Sequence, residues 1–222
     1  MELPANSQAF IPTAMGNTPL SEIPEMREQI ACAARKRFEV YGFSKATMEE
    51  IAEDLHISKK TLYKNFSSKE DLVRFVVHQF MHERRCEIDS VLNDPKLSLI
   101  QKLRALMTQV GIQTSKVSPR VISDIAVSAP ELWKEVLAFQ AERIEMFGHL
   151  IRDGIHQGQL RTDLDEELVM KIYFGAMQSV IDPTNFAEAR YTPKQAISTL
   201  IAVLFEGMLT PTARKEYAKQ KQ

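Results

Sequence analysis

A chain of 222 residues, 44% hydrophobic and 26% charged, can bury a sizeable core and has the balance of an ordinary soluble globular protein. No apolar run approaches the roughly 20 residues that cross a bilayer, and no basic stretch leads into an apolar one at the N-terminus, so neither a membrane span nor a secretory signal is expected. A formal net charge of −1 excludes a general polyanion binder, and Cys32 and Cys86 alone make no disulfide framework and suit a reducing cytoplasm.

Residues 1–24 carry Pro4, Pro12, Pro19 and Pro24 among small polar residues, show no helical or strand period, and read as a mobile leader. From Glu25 onward the pattern predicts an all-α protein, because nothing alternates apolar and polar residues long enough for a sheet. The first helix runs from Glu25 to Tyr41, with Ile30, Ala34, Phe38 and Tyr41 as one stripe and Gly42 as a stop. Thr47 caps a second, short helix that ends near Leu55, with Glu50 completing a capping box. Ser58 caps a third through Phe66, and Ser67 or Ser68 opens a long fourth that reaches Leu92. Further helices are expected at 97–116, 120–128, 131–157, 165–182, 193–209 and 212–220, with prolines at the joints and Gly158 ending the longest.

The second and third helices are too short to stand alone and must pack on the first. Ile51, Ala52, Leu55, Ile57, Leu62 and Phe66 supply the shared core. This leaves Lys59, Lys60, Thr61, Tyr63, Lys64 and Asn65 outward on the third helix, and from Ser58 to Lys69 there is no acidic residue. Lysines and hydroxyls bind phosphates, an exposed helix N-terminus adds backbone N–H groups, and Asn and Lys read base edges in a major groove wide enough for a helix. From Ser123 to Leu168, by contrast, acids outnumber bases. A basic patch on an acidic body points to one local anionic partner.

Over residues 27–72 the chain resembles the DNA-binding domain of the tetracycline-repressor (TetR) family. The resemblance rests on Ile30, Ala33, Ala34 and Phe38, Gly42-Phe43, Ala46-Thr47, Ile51-Ala52, Ile57-Ser58, Leu62-Tyr63, Phe66, and Lys69-Glu70 with Leu72. It implies a helix-turn-helix head over 25–69, joined by the fourth helix to a ligand-binding and dimerisation domain over 70–222. It also implies that Thr47, Tyr63 and Lys69 hold phosphates, while Lys59, Lys60, Thr61, Lys64 and Asn65 face the groove. His56 departs from the family's usual turn glycine and Asn65 from its usual histidine. The implied activity is that of a sequence-specific transcriptional regulator. It would be a repressor released from a palindromic operator on double-stranded DNA by a small, largely apolar effector.

A dimer is expected on physical grounds as well, because one helix reads too few base pairs. Two heads would enter successive major grooves about 34–36 Å apart. The resemblance assigns the pairing to the helices at 165–182 and 193–209, through Ile172, Ile181, Leu200, Val203 and Leu204. Candidate effector-pocket residues are Phe75, His78, His82, Trp133, Phe139, Met146, Phe174 and Met177, since aromatics and methionines suit adaptable apolar cavities. His78, His82 and Cys86 share one helix face at zinc-ligand spacing, but chance spacing is the better reading, so no metal or cofactor is expected. No nucleophile–base pair or phosphate-cradling glycine loop argues for an enzyme. The alternative function is a helical small-molecule carrier whose basic patch is incidental.

Overall fold

The computed structural model describes residues 25–114, 119–181 and 192–220. The leader at 1–24 and the expected helix ends at 116 and 182 lie outside them. The described residues form ten helices: α1 Glu25–Tyr41, α2 Met48–Asp54, α3 Lys59–Asn65, α4 Lys69–Leu92, α5 Leu99–Thr114, α6 Pro119–Ser128, α7 Pro130–His156, α8 Glu166–Ile181, α9 Pro193–Met208 and α10 Pro211–Gln220. Among these residues the only strand-like pairing is an isolated bridge between Leu160 and Leu209, and no helix is long and apolar enough to cross a membrane.

Local chemistry sets the boundaries. The Thr47 side chain accepts from the Glu50 N–H at 3.2 Å, and the Glu50 carboxylate accepts from the Thr47 N–H at 2.9 Å. Ser58 and Ser68 cap α3 and α4 in the same way, each accepting from a backbone N–H three residues on. After α2 the Ile57 N–H reaches Ala52 O and the His56 N–H reaches Glu53 O, a Schellman closure that puts His56 at φ 52°. The sequence marks this position as one where glycine is the easier residue.

Two cores follow. The first gathers Ile30, Ala34 and Phe38 of α1, Phe43, Ile51 and Ala52, Leu62, Phe66, and Leu72 and Val73 of α4. Ile125 of α6 and Leu132 of α7 belong to this same cluster, so head and body share apolar surface. The second lies among α5, α7, α8, α9 and α10, around Leu103, Leu106, Phe147, Ile151, Tyr173, Ile201 and Phe205. The Tyr173 hydroxyl, buried there, donates to Met107 O at 2.6 Å.

The far side of α8 and α9 is left apolar and open. Ile172 is 48% exposed, Leu168 55% and Val203 67%. Leu168, Ile172, Gly175 and Ser179, all exposed, recur at the i, i+4, i+7 spacing of a helix–helix seam. Two expected seam residues, Leu200 and Leu204, are partly buried against their own chain's core. They fall on the inward side of α9, beside Ile201 and Phe205. The exposure of the Ile181 side chain is outside what the structure describes.

Candidate nucleic-acid interface and adjoining cavity

The α3 surface is assembled by a rigid head. Arg37 of α1 grips Asp54 of α2 through two hydrogen bonds of 2.5 and 3.0 Å and lies 3.2 Å from Glu50. The hydrogen bonds from Arg37 hold the Asp54 carboxyl below its ordinary value. Arg27 stacks its guanidinium 4.2 Å over the Phe66 ring and donates to Asn65 O, tying α1 to the end of α3. Arg35 pairs with Glu39 and Glu83. Arg35 and Arg37 therefore build the scaffold and are not held free for phosphates.

On this scaffold Thr47, Lys60, Tyr63 and Lys64 stand exposed. Lys59 is exposed too, but pairs at 3.2 Å with Glu49, whose carboxyl is held below its ordinary value by its own backbone N–H and then by Lys59. Three expected contacts are engaged elsewhere. The Thr61 hydroxyl is 2.8 Å from Ser58 Oγ. The Asn65 amide folds back to donate to Thr61 O at 2.8 Å. The Lys69 ammonium donates to Ser44 O at 3.0 Å and lies 4.8 Å from the Phe43 ring centroid, where burial pushes its pKa down. Lys69 is thus a strut between α4 and the turn after α1, although its two remaining protons can still reach an anion. Lys45, exposed beside Thr47, is a cation that the motif reading left out. Its only signal in the sequence is a basic residue just before a cap.

Behind the head, α1, α4, α5, α6 and α7 surround two adjoining cavities of about 170 and about 130 Å³. Phe80, Gln113, Ile122, Trp133, Val136, Gln140 and Arg143 wall both. The larger lobe is mostly apolar and is closed on one side by the head itself, through Phe38, Phe43 and Val73. The smaller adds Arg84, Glu87 and Gln109. Of the expected pocket residues, Trp133 and Phe139 are in place. Phe75 instead packs edge-on to Phe66 at 5.2 Å. His78 is held 2.6 Å from Glu135 of α7, and His82 lies nearest Cys86 Sγ, at 3.7 Å. Met146, Phe174 and Met177 belong to the second core. Because His78 has its own partner, the His78, His82 and Cys86 face does not converge, and among the described residues no three potential ligands gather for a metal.

The arginines of the smaller lobe went unnoticed in the sequence. Arg84 uses only Nη2 for its ion pairs, at 2.9 Å to Glu87 and 3.8 Å to Glu83, while Nε and Nη1 are buried without a partner. Arg143 makes no ion pair among the described residues, has a buried Nε with no partner, and lies 5.4 Å from the Phe139 ring centroid. Burial weighs against its charge.

One helix joins this cavity to the head. Val121, Ile122 and Ile125 of α6 line the larger lobe. Asp124 of the same helix accepts from the Ser44 N–H at 3.1 Å, and Ser128 Oγ lies 3.3 Å from Ser44 Oγ. Ser44 is also the residue that Lys69 holds.

The family profile described as "Bacterial regulatory proteins, tetR family" matches residues 30–76. The HTH-type transcriptional regulator YvaF of Bacillus subtilis is 25% identical over 75% of this chain and 87% of its own length. The HTH-type transcriptional repressor KstR2 of Mycolicibacterium smegmatis is 26% identical over 68% of this chain and 75% of its own. Among solved structures, FadR of Bacillus subtilis in complex with stearoyl-CoA superposes with a TM-score of 0.61 at 18% identity, covering 82% of this chain and 98% of that one.

Proposed function

Since the chain belongs to the TetR family of bacterial regulatory proteins and is a DNA-binding regulator, not an enzyme, we propose that it is a homodimeric repressor released from a palindromic operator by a small, largely apolar effector. The observation that carries the release step is the position of the larger lobe, whose wall is partly the head itself. An effector there pushes on Phe38 and Phe43 directly. It also pushes on Ser44 through α6 and Asp124. A ligand shifts the equilibrium only if it binds one arrangement better, and a cavity shared by head and body meets that condition whenever the two move apart.

Lys60, Tyr63 and Lys64 meet the DNA, Thr47 and Lys45 hold phosphates, and Lys59 exchanges Glu49 for an anion. The open face of α8 and α9 is the twofold seam, centred on Leu168, Ile172 and Val203. The KstR2 relative carries the word repressor in its name, and the superposed FadR holds an acyl thioester. The first supports repression and the second a ligand-responsive regulator.

A fluorescence titration against the DNA upstream of its own gene, at two salt concentrations, tests this. Binding should weaken steeply with salt yet survive competitor DNA. Replacing Tyr63 and Lys64 with Ala should reduce operator affinity by about 1–3 kcal/mol per lost contact and leave thermal stability unchanged. Equal affinity for every duplex would favour the carrier function.

A further inference from the structure

We propose that the two lobes hold a single amphipathic carboxylic acid, its carboxylate between Arg84 and Arg143 and its apolar body in the larger lobe against the head. This rests on the effector reading above and gives that effector a chemical class and an orientation.

In the smaller lobe Glu87 offsets Arg84 at 2.9 Å and also accepts from Gln109 at 2.8 Å, so its oxygens are well used. Glu83 is shared with Arg35 at 3.3 Å. Nothing among the described residues offsets Arg143, which sits beside Arg84 closely enough for the two charges to oppose each other. The wall therefore carries one cation in surplus and at least three buried N–H positions without an acceptor. Leaving such groups unpaired is costly, and a positioned anion removes the cost.

The geometry of the donors selects the anion. A guanidinium is a planar fork that matches a carboxylate in two parallel hydrogen bonds. A single surplus cation balances a monoanion, whereas a doubly charged phosphate would bring excess charge beside Glu87. The Phe80 and Phe139 rings hold Arg84 and Arg143 at 5.3 and 5.4 Å, which limits their freedom before a ligand arrives.

The rest of the ligand follows from the adjoining lobe. A cavity of roughly 150 Å³ accepts a benzene-sized molecule, so two lobes in tandem suit a medium-length chain or a pair of rings. With the carboxylate fixed at α4 and α7, the apolar end must run toward Phe38, Phe43 and Ile125. Anion recognition thus sits at one end of the ligand and the mechanical effect on the head at the other.

The chain's one tryptophan, Trp133, walls both lobes and reports occupancy. The full-length protein is titrated with straight-chain carboxylates from hexanoate to tetradecanoate, the matched alcohols and the matched alkyl phosphates, following Trp133 emission. The best carboxylate should bind about ten- to a hundredfold more tightly than its alcohol, the range expected for charge-assisted hydrogen bonds. Arg143→Gln should abolish that preference and leave the alcohol's affinity unchanged. Arg143→Lys, which keeps the charge and loses the fork, should retain part of it, and supplies the same comparison if the glutamine variant does not fold. Equal binding of acid and alcohol, equal weakening of both by Arg143→Gln, or a phosphate that outranks the carboxylate would each overturn the inference while leaving an apolar effector in place. If no compound alters Trp133 emission, the effector reading falls with it.

Discussion

The head and the cavity behind it are built by opposite rules. In the head, Arg27, Arg37, Asn65 and Lys69 all find partners within the head, and the helix starts close on their own caps. In the cavity wall, Arg84, Gln109 and Arg143 each keep a buried N or O atom with no hydrogen-bond partner. A surface that must dock on DNA in one geometry gains from satisfied, short-range fastenings, which leave little to rearrange on binding. A cavity that must respond to a ligand gains from leaving part of its hydrogen bonding to that ligand. The difference teaches where to look for each function: exposure marks the first, and buried incompleteness marks the second.

The harshest way to break this comparison is Phe66→Ala. Phe66 is fully buried between α1 and α4 and carries the Arg27 stack, so its loss should cost about 3–5 kcal/mol. If the head is a self-contained unit, it melts well below the body by circular dichroism and operator binding disappears while α5–α10 stay folded. A single shared transition would mean instead that the Ile125 and Leu132 junction, which places body residues in the head's core, couples the two halves.

Asp124→Ala sharpens the same boundary with a smaller effect. It removes the acceptor for the Ser44 N–H but touches neither the α3 face nor the arginines. The ratio of operator affinities with and without effector should fall by about 0.5–2 kcal/mol, with ligand affinity little changed. An unaltered ratio would show that the signal passes through Phe38 and Phe43 alone.

What the sequence disclosed follows the same division. Thr47 with Glu50, Ser58, Ser68, Gly42 and His56 act over three or four residues, so their patterns are visible in a single pass and the helix ends fall within about two residues of expectation. The second engagement of Lys69 was not legible, because its partner Ser44 O lies 25 positions away. The cavity was hidden more completely. Arg84 has a carboxylate three residues on in its own helix, but Arg143 resembles any other helix arginine until α4 and α7 are packed, and only then does it prove to have no ion-pair partner among the described residues. Aromatic and methionine content pointed to Phe174 and Met177, which fill the second core instead, since an apolar side chain has the same signature in a core as in a cavity wall.

The mildest perturbation addresses a rule that the head itself breaks. His56 ends α2 in the left-handed region at φ 52°, where a side chain costs about 1 kcal/mol that glycine avoids. Glycine also loosens the unfolded chain, which offsets part of the gain. His56→Gly should therefore raise stability by less than about 1 kcal/mol, a shift of at most a few degrees in Tm. Its effect on operator affinity decides what the histidine is for. Unchanged affinity would make His56 a residue the turn merely tolerates. A loss of affinity would make the exposed His56 side chain a DNA contact, held at the lip of the DNA face at the expense of backbone strain.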